Sequence, residues 1–159
     1  MSKPPTSDLA EAWRVNDHMN STLLEAIPDA SLGDRYSKRT RAVASQFAHL
    51  HNVRVSHLER RGQDLAVGLN SFERGAEPTR RELVAALKKS TAAIAKLLDR
   101  GAADGKIKGW SNSPATYLGY LLAHEAHHRG LAIVSLRLSG TKLSKDVTYG
   151  IWAWGKKYD

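Results

Sequence analysis

Residues 113–140 read SPATYLGYLLAHEAHHRGLAIVSLRLSG, and the fold is decided by how this stretch is read. Ser113 is a natural N-cap, Pro114 suits the first helical position, and Gly140 supplies a C-terminal stop. Between them Leu118, Leu121, Leu122, Leu131, Val134 and Leu138 recur at helical spacing. The pattern predicts one helix of about 25 residues, roughly 38 Å long. His124, His127 and His128 lie near its middle. His124 and His128 are four apart, so their imidazoles share a face about 6 Å apart and can hold one metal ion. His127 points about 100° away from His128 and does not easily join the same coordination sphere. Imidazoles set among leucines need a partner, and a metal is the best one available.

Upstream, three further segments carry the same apolar period. The first runs from about Ser7 to Ile27, with Leu9, Trp13, Leu23, Leu24 and Ile27 on its apolar side, and Pro28 ends it. Asn16, His18 and Asn20 interrupt that pattern; the expectation is that they face solvent, the competing reading being that one of them lines a polar pocket. The second runs from about Ser37 to Arg61, closed by Gly62, with Val43, Phe47, Leu50, Val53 and Leu58 inward and His49, His51 and His57 among them. After a linker in which Leu65–Leu69 can tuck an apolar turn against the bundle, Thr79 and Glu82 form a capping box. The third segment that it opens carries Leu83, Val84, Leu87, Ile94, Leu97 and Leu98 and is expected to stop at Gly101. The tail DVTYGIWAWGKKYD reads as an aromatic flap over one end of the molecule. No run has a convincing period of two and no repeat occurs. The architecture expected is all-α: a single domain over 1–159, a four-helix bundle with an interior metal site and a short aromatic tail.

Composition narrows the function classes. The chain has 159 residues, 42% hydrophobic and 25% charged, which suits an ordinary globular protein. With no cysteine it has no disulfide framework, thiolate nucleophile or cysteine-based zinc site. No apolar leader and no run of 18 apolar residues occurs, so neither secretion nor membrane spanning is expected and the cytoplasm is the default. The formal charge is +8, from 24 basic and 16 acidic residues. The basic residues form short clusters (Arg35, Lys38, Arg39 and Arg41; Arg54, Arg60 and Arg61; Arg80 and Arg81; Lys88 and Lys89) without interleaved aromatics. That reads as a solvated surface rather than a nucleic-acid interface.

His124-Glu125-x-x-His128 also matches the zincin pentapeptide, in which the glutamate is general base. The rest of the sequence argues against a peptidase. The extended motif needs glycine at 131 and histidine at 134, where the chain has Leu131 and Val134. No glutamate follows Glu125 to serve as a third ligand, and no edge strand is predicted.

Taken over nearly its full length, the chain resembles the DinB superfamily of small bacterial four-helix bundles. AHEAHHRG at 123–130, the apolar run to LRLSG at 136–140, QFAHLHNVR at 46–54 and YGIWAWG at 149–155 carry the resemblance. The resemblance implies a metal site made of one histidine from the second helix and the H-x-x-x-H pair of the last. Carried over, these are His49, His124 and His128, with His51 as the fallback for His49. It implies a divalent transition metal (zinc, nickel or iron) with an open position, which a catalytic site requires. Relatives commonly continue H-R-G with a glutamine where this chain has Leu131. The function implied is a thiol-dependent transferase or hydrolase acting on a low-molecular-weight thiol or another small molecule. The alternative is a non-catalytic metal- or ligand-binding stress-response protein; a homodimer is expected in either case. Glu125 and Arg129 are expected to pair at the surface, the competing reading being that they pair with neighbouring helices or with a partner subunit.

Overall fold

In a computed structural model describing residues 6–158, every regular element is helical. The four long helices are α1 (Asp8–Ala26), α2 (Val43–Arg61), α4 (Arg80–Asp104) and α5 (Pro114–Leu138); α3 (Gln63–Ala66) and α6 (Lys145–Gly150) are short. Both α1 and α2 pack against α4 and α5. This places α1 and α2 opposite each other across the bundle interior. None of the helices among the described residues is long and apolar enough to cross a membrane.

The helix ends follow their local chemistry. Ser7 caps α1, Ser113 caps α5 with Pro114 behind it, and Thr79 and Glu82 complete the capping box of α4. Helix α2 starts at Val43, six residues later than its apolar pattern suggests. Residues 37–40 close on themselves through Ser37 and Thr40 instead. The first free N–H groups of α2, on Val43 and Ala44, are taken by the carbonyls of Asp34 and Leu32. At the other boundary, α4 runs through Gly101 and ends at Gly105, whose φ of 68° is the left-handed stop. Gly101 is needed inside the helix because a Cβ there would lie 2.7 Å from Cγ1 of Ile107, which folds back onto it.

The interior divides into two apolar halves. One holds Met19, Leu23, Leu24, Val43, Phe47, Leu50, Leu83, Leu87, Ala132 and Leu136. The other holds Trp13, Leu58, Ile94, Leu97, Leu98, Ile107, Tyr117 and Leu121, and Leu65 and Leu69 of the linker pack against it as expected. On each long helix, the residues between these groups are polar and buried: Asn16 and Asn20, Arg54, Ser90, Glu125. The core thus has a polar waist. The tail departs from the expected aromatic flap. Val147, Ile151 and Tyr158 pack against the first half, while Tyr149 and Trp152 stand in solvent.

Candidate metal centre

Three imidazoles meet at the waist. His49 of α2 and His124 and His128 of α5 each offer a ring nitrogen, and these atoms all lie within 4.8 Å of one another. Ring centroids are separated by 5.3 Å for His49–His124, 4.5 Å for His49–His128 and 4.6 Å for His124–His128. The four-residue spacing on α5 supplies two of the rings and the packing of α2 against α5 supplies the third. His128 is buried; His49 and His124 are partly open.

The electrostatics suit a cation's ligands. Burial, followed by the Arg41 guanidinium and then His124, lowers the pKa of His49 to about 4. Burial and the neighbouring His49 and His124 bring His128 down to about 3, and burial lowers His124 as well. All three rings are therefore neutral at physiological pH, with a lone pair available. Nδ1 of His128 lies 2.7 Å from Oε1 of Gln46. A carbonyl oxygen only accepts, so Nδ1 carries the proton and Nε2 carries the lone pair. This is the support that a metal-bound histidine ordinarily has. The donor set, the neutral state and the fixed tautomer together fit a divalent transition metal. They do not distinguish zinc, nickel and iron.

The remaining histidines are occupied elsewhere. His51 is buried facing α4, its Nδ1 3.1 Å from Oγ of Ser90 and its Nε2 3.0 Å from the Asn70 carbonyl. The structure thus brings His49, and not His51, to the pair on α5. His57 contacts the Tyr117 hydroxyl through Nδ1 at 3.0 Å. His127 is exposed, and His18 is exposed and stacks on Tyr158.

Glu125 is buried and Arg129 half-buried, and both pair with neighbouring helices, the competing reading, rather than at the surface. Glu125 is 1% exposed and receives two hydrogen bonds from Arg54, through Nε at 2.6 Å and Nη2 at 2.9 Å. Asn16 and Asn20 add two more, at 2.6 and 2.7 Å, and Arg129 donates to the side-chain oxygens of both asparagines. Neither asparagine faces solvent. Arg54, grouped by sequence with a surface cluster, lies 4.7 Å over the Trp13 ring and also reaches Asp17 and Thr91. Burial opposes its charge, but Glu125 and Asp17 outweigh that and raise its pKa further. In the fold, four acceptor–donor contacts commit Glu125 to this network, so the zincin role of the H-E-x-x-H match has no free carboxylate to perform it.

The sequence model of the DinB family matches residues 1–152 of the chain. The chain belongs to the DinB family. No curated protein matches the sequence. Leu131 follows H-R-G in this DinB protein and offers no amide, yet an amide from another helix supports the site. It is Gln46, one turn before His49 on α2. Gln46 was not among the residues expected at the site, although its three-residue offset from His49 puts both on one face.

Proposed function

We propose that this DinB protein is a metal-dependent enzyme of the thiol-dependent transferase or hydrolase type, with a divalent transition metal held by His49, His124 and His128. The convergence of three neutral ring nitrogens within 4.8 Å carries the reading. A metal so held would act as a Lewis acid toward a ligand in an open position, lowering the pKa of a thiol or water. The chain's own part is to keep the imidazoles unprotonated by burial and to fix the His128 tautomer through Gln46. With no cysteine in the chain, the thiol comes from solution.

The commitment of Glu125 to Arg54 favours a second reading, since it withdraws the glutamate next to His124 in sequence from proton transfer. That reading is a non-catalytic metal- or ligand-binding protein of the stress response. Under both readings the protein works as a homodimer. Exposed Val134 and Leu138 on α5, with Tyr149 and Trp152 beyond it, support that association.

The test is metal content by elemental analysis of untagged protein. One equivalent of metal per chain is expected for the wild type and for His127→Ala. Loss is expected for His49→Ala, His124→Ala and His128→Ala, since a two-ligand remnant binds weakly. Wild-type stoichiometry in the His124→Ala/His128→Ala double variant would end the reading. Metal-dependent turnover that needs an added thiol separates the enzyme from the binding protein.

A further inference from the structure

The wall beside the histidine cluster is built of arginine. A cavity of about 410 Å³ is lined by His49 together with Arg39, Thr40, Arg41 and Arg74. A second cavity, of about 450 Å³, shares Arg39, Thr40, Arg41 and Arg74 and reaches Gln46 and Leu131. Gln46 is the residue that supports His128, so the first hollow reaches His49 itself and the second reaches the support of His128. Volumes of this size suit a small molecule rather than a macromolecular surface.

The charge on that wall is only partly compensated. Arg35 is paired with Glu77, and it also donates to the Thr40 carbonyl at 2.9 Å, which anchors the segment before α2. Among the described residues, by contrast, Arg39, Arg41 and Arg74 make no ion pair. Glu73 is the one acid lining the first cavity, and the second has none. All three guanidiniums are exposed, so water screens their repulsion, but with one carboxylate among them they leave a net positive charge that attracts an anion. A guanidinium presents a planar fork matched to carboxylate and phosphate oxygens.

We infer that Arg39, Arg41 and Arg74 form an anion-binding subsite, so that the small molecule processed at the histidine cluster carries a carboxylate or phosphate beside its reacting group. The inference rests on the metal-site reading for the position of the reacting group, but not for the subsite itself. Arg41, nearest in effect to the cluster, orients the anionic end, and the partly open faces of His49 and His124 receive the other.

The experiment uses the full chain, metal-free and loaded with one equivalent of Co²⁺, whose visible absorption reports a thiolate ligand. Mercaptosuccinate, with two carboxylates, and 2-mercaptoethanol, with none, are titrated into the loaded form at low salt. Mercaptosuccinate should bind at least about tenfold more tightly, as paired charge-assisted hydrogen bonds would give. In Arg39→Ala/Arg41→Ala/Arg74→Ala that preference should disappear while 2-mercaptoethanol binding stays unchanged. Equal affinities in the wild type, or a preference that survives in the triple variant, would overturn the subsite. Succinate, which lacks sulfur, is titrated calorimetrically into the metal-free protein. Its binding should be measurable in the wild type and lost in the triple variant; its absence in the wild type also overturns the subsite. Failure to take up Co²⁺ would instead refute the metal reading, and the succinate titration would then decide the anion site alone.

Discussion

Gln46 and Glu125 show how single side chains around the site divide their work. Gln46 fixes the proton on Nδ1 of His128, so it acts on the metal affinity through orientation. Gln46→Ala should weaken Zn²⁺ binding by roughly 10- to 100-fold with little change in helicity, measured by competition with a chromophoric chelator. Unchanged affinity would remove Gln46 from the site. Glu125 acts on the fold. Its carboxylate neutralises a guanidinium buried on α2. Removing one partner of such a pair leaves a buried charge, so Glu125→Ala should lose about 3–5 kcal/mol of stability in urea denaturation. Against total stabilities of about 5–15 kcal/mol that is a large share, and the variant should be handled cold. A loss below 1 kcal/mol, the scale of exposed pairs, would mean the carboxylate is solvated.

Helix α4 carries a glycine at a place where any side chain collides, and α5 carries one where nothing is near. A Cβ at Gly101 would meet Ile107, which is itself buried and has little room to move. A Cβ at Gly119 meets nothing within 4 Å, and the position is exposed in mid-helix. Gly101→Ala should therefore destabilise by about 1 kcal/mol, overpacking outweighing the gain in helix propensity. Gly119→Ala should stabilise by up to about 1 kcal/mol, since only the propensity term remains. Thermal melts of the two variants should move in opposite directions. Movement in the same direction would show that Ile107 yields.

At the scale of the molecule, burial is the leading cause that lowers the pKa of His49, His51, His57, His124 and His128. His49 and His57 fall to about 4 and His128 to about 3. Unfolded imidazoles take up protons near pH 6.5, well before the folded ones do. Between these values the unfolded state binds more protons, so stability falls with falling pH. The metal-free protein should be most stable above about pH 6.5 and lose stability progressively down to about pH 3, where His128 titrates in the folded state. Urea midpoints at a series of pH values measure this directly; a flat profile would contradict the burial of the rings. Association belongs to the same scale. Sedimentation should give twice the 17.5 kDa chain mass at micromolar concentration, and Leu138→Lys should shift it toward the monomer. A wild type that sediments as a monomer would end the dimer proposal.

The helical period, the capping residues and the absence of alternation determined the four long helices, because these are local signals read within a few residues. The His124–His128 pair was legible for the same reason, since a four-residue spacing on a helix fixes a shared face. Helix ends were less so. The first turn of α2 and the Gly101–Gly105 stop were set by Leu32, Asp34 and Ile107, which arrive from outside the helices concerned. His49 against His51 could not be separated by periodicity, because two residues on one helix differ by rotation, and only packing says which face meets α5. Family resemblance favoured His49; the fold brought it to the pair. The polar waist showed only in the competing reading that one of Asn16, His18 and Asn20 lines a polar pocket. Asn16, Asn20, Arg54, Glu125 and the half-buried Arg129 look like surface residues one by one, and they leave solvent only because each satisfies another across the interior. Such pairing joins positions up to 113 residues apart. Only the tertiary structure can decide it.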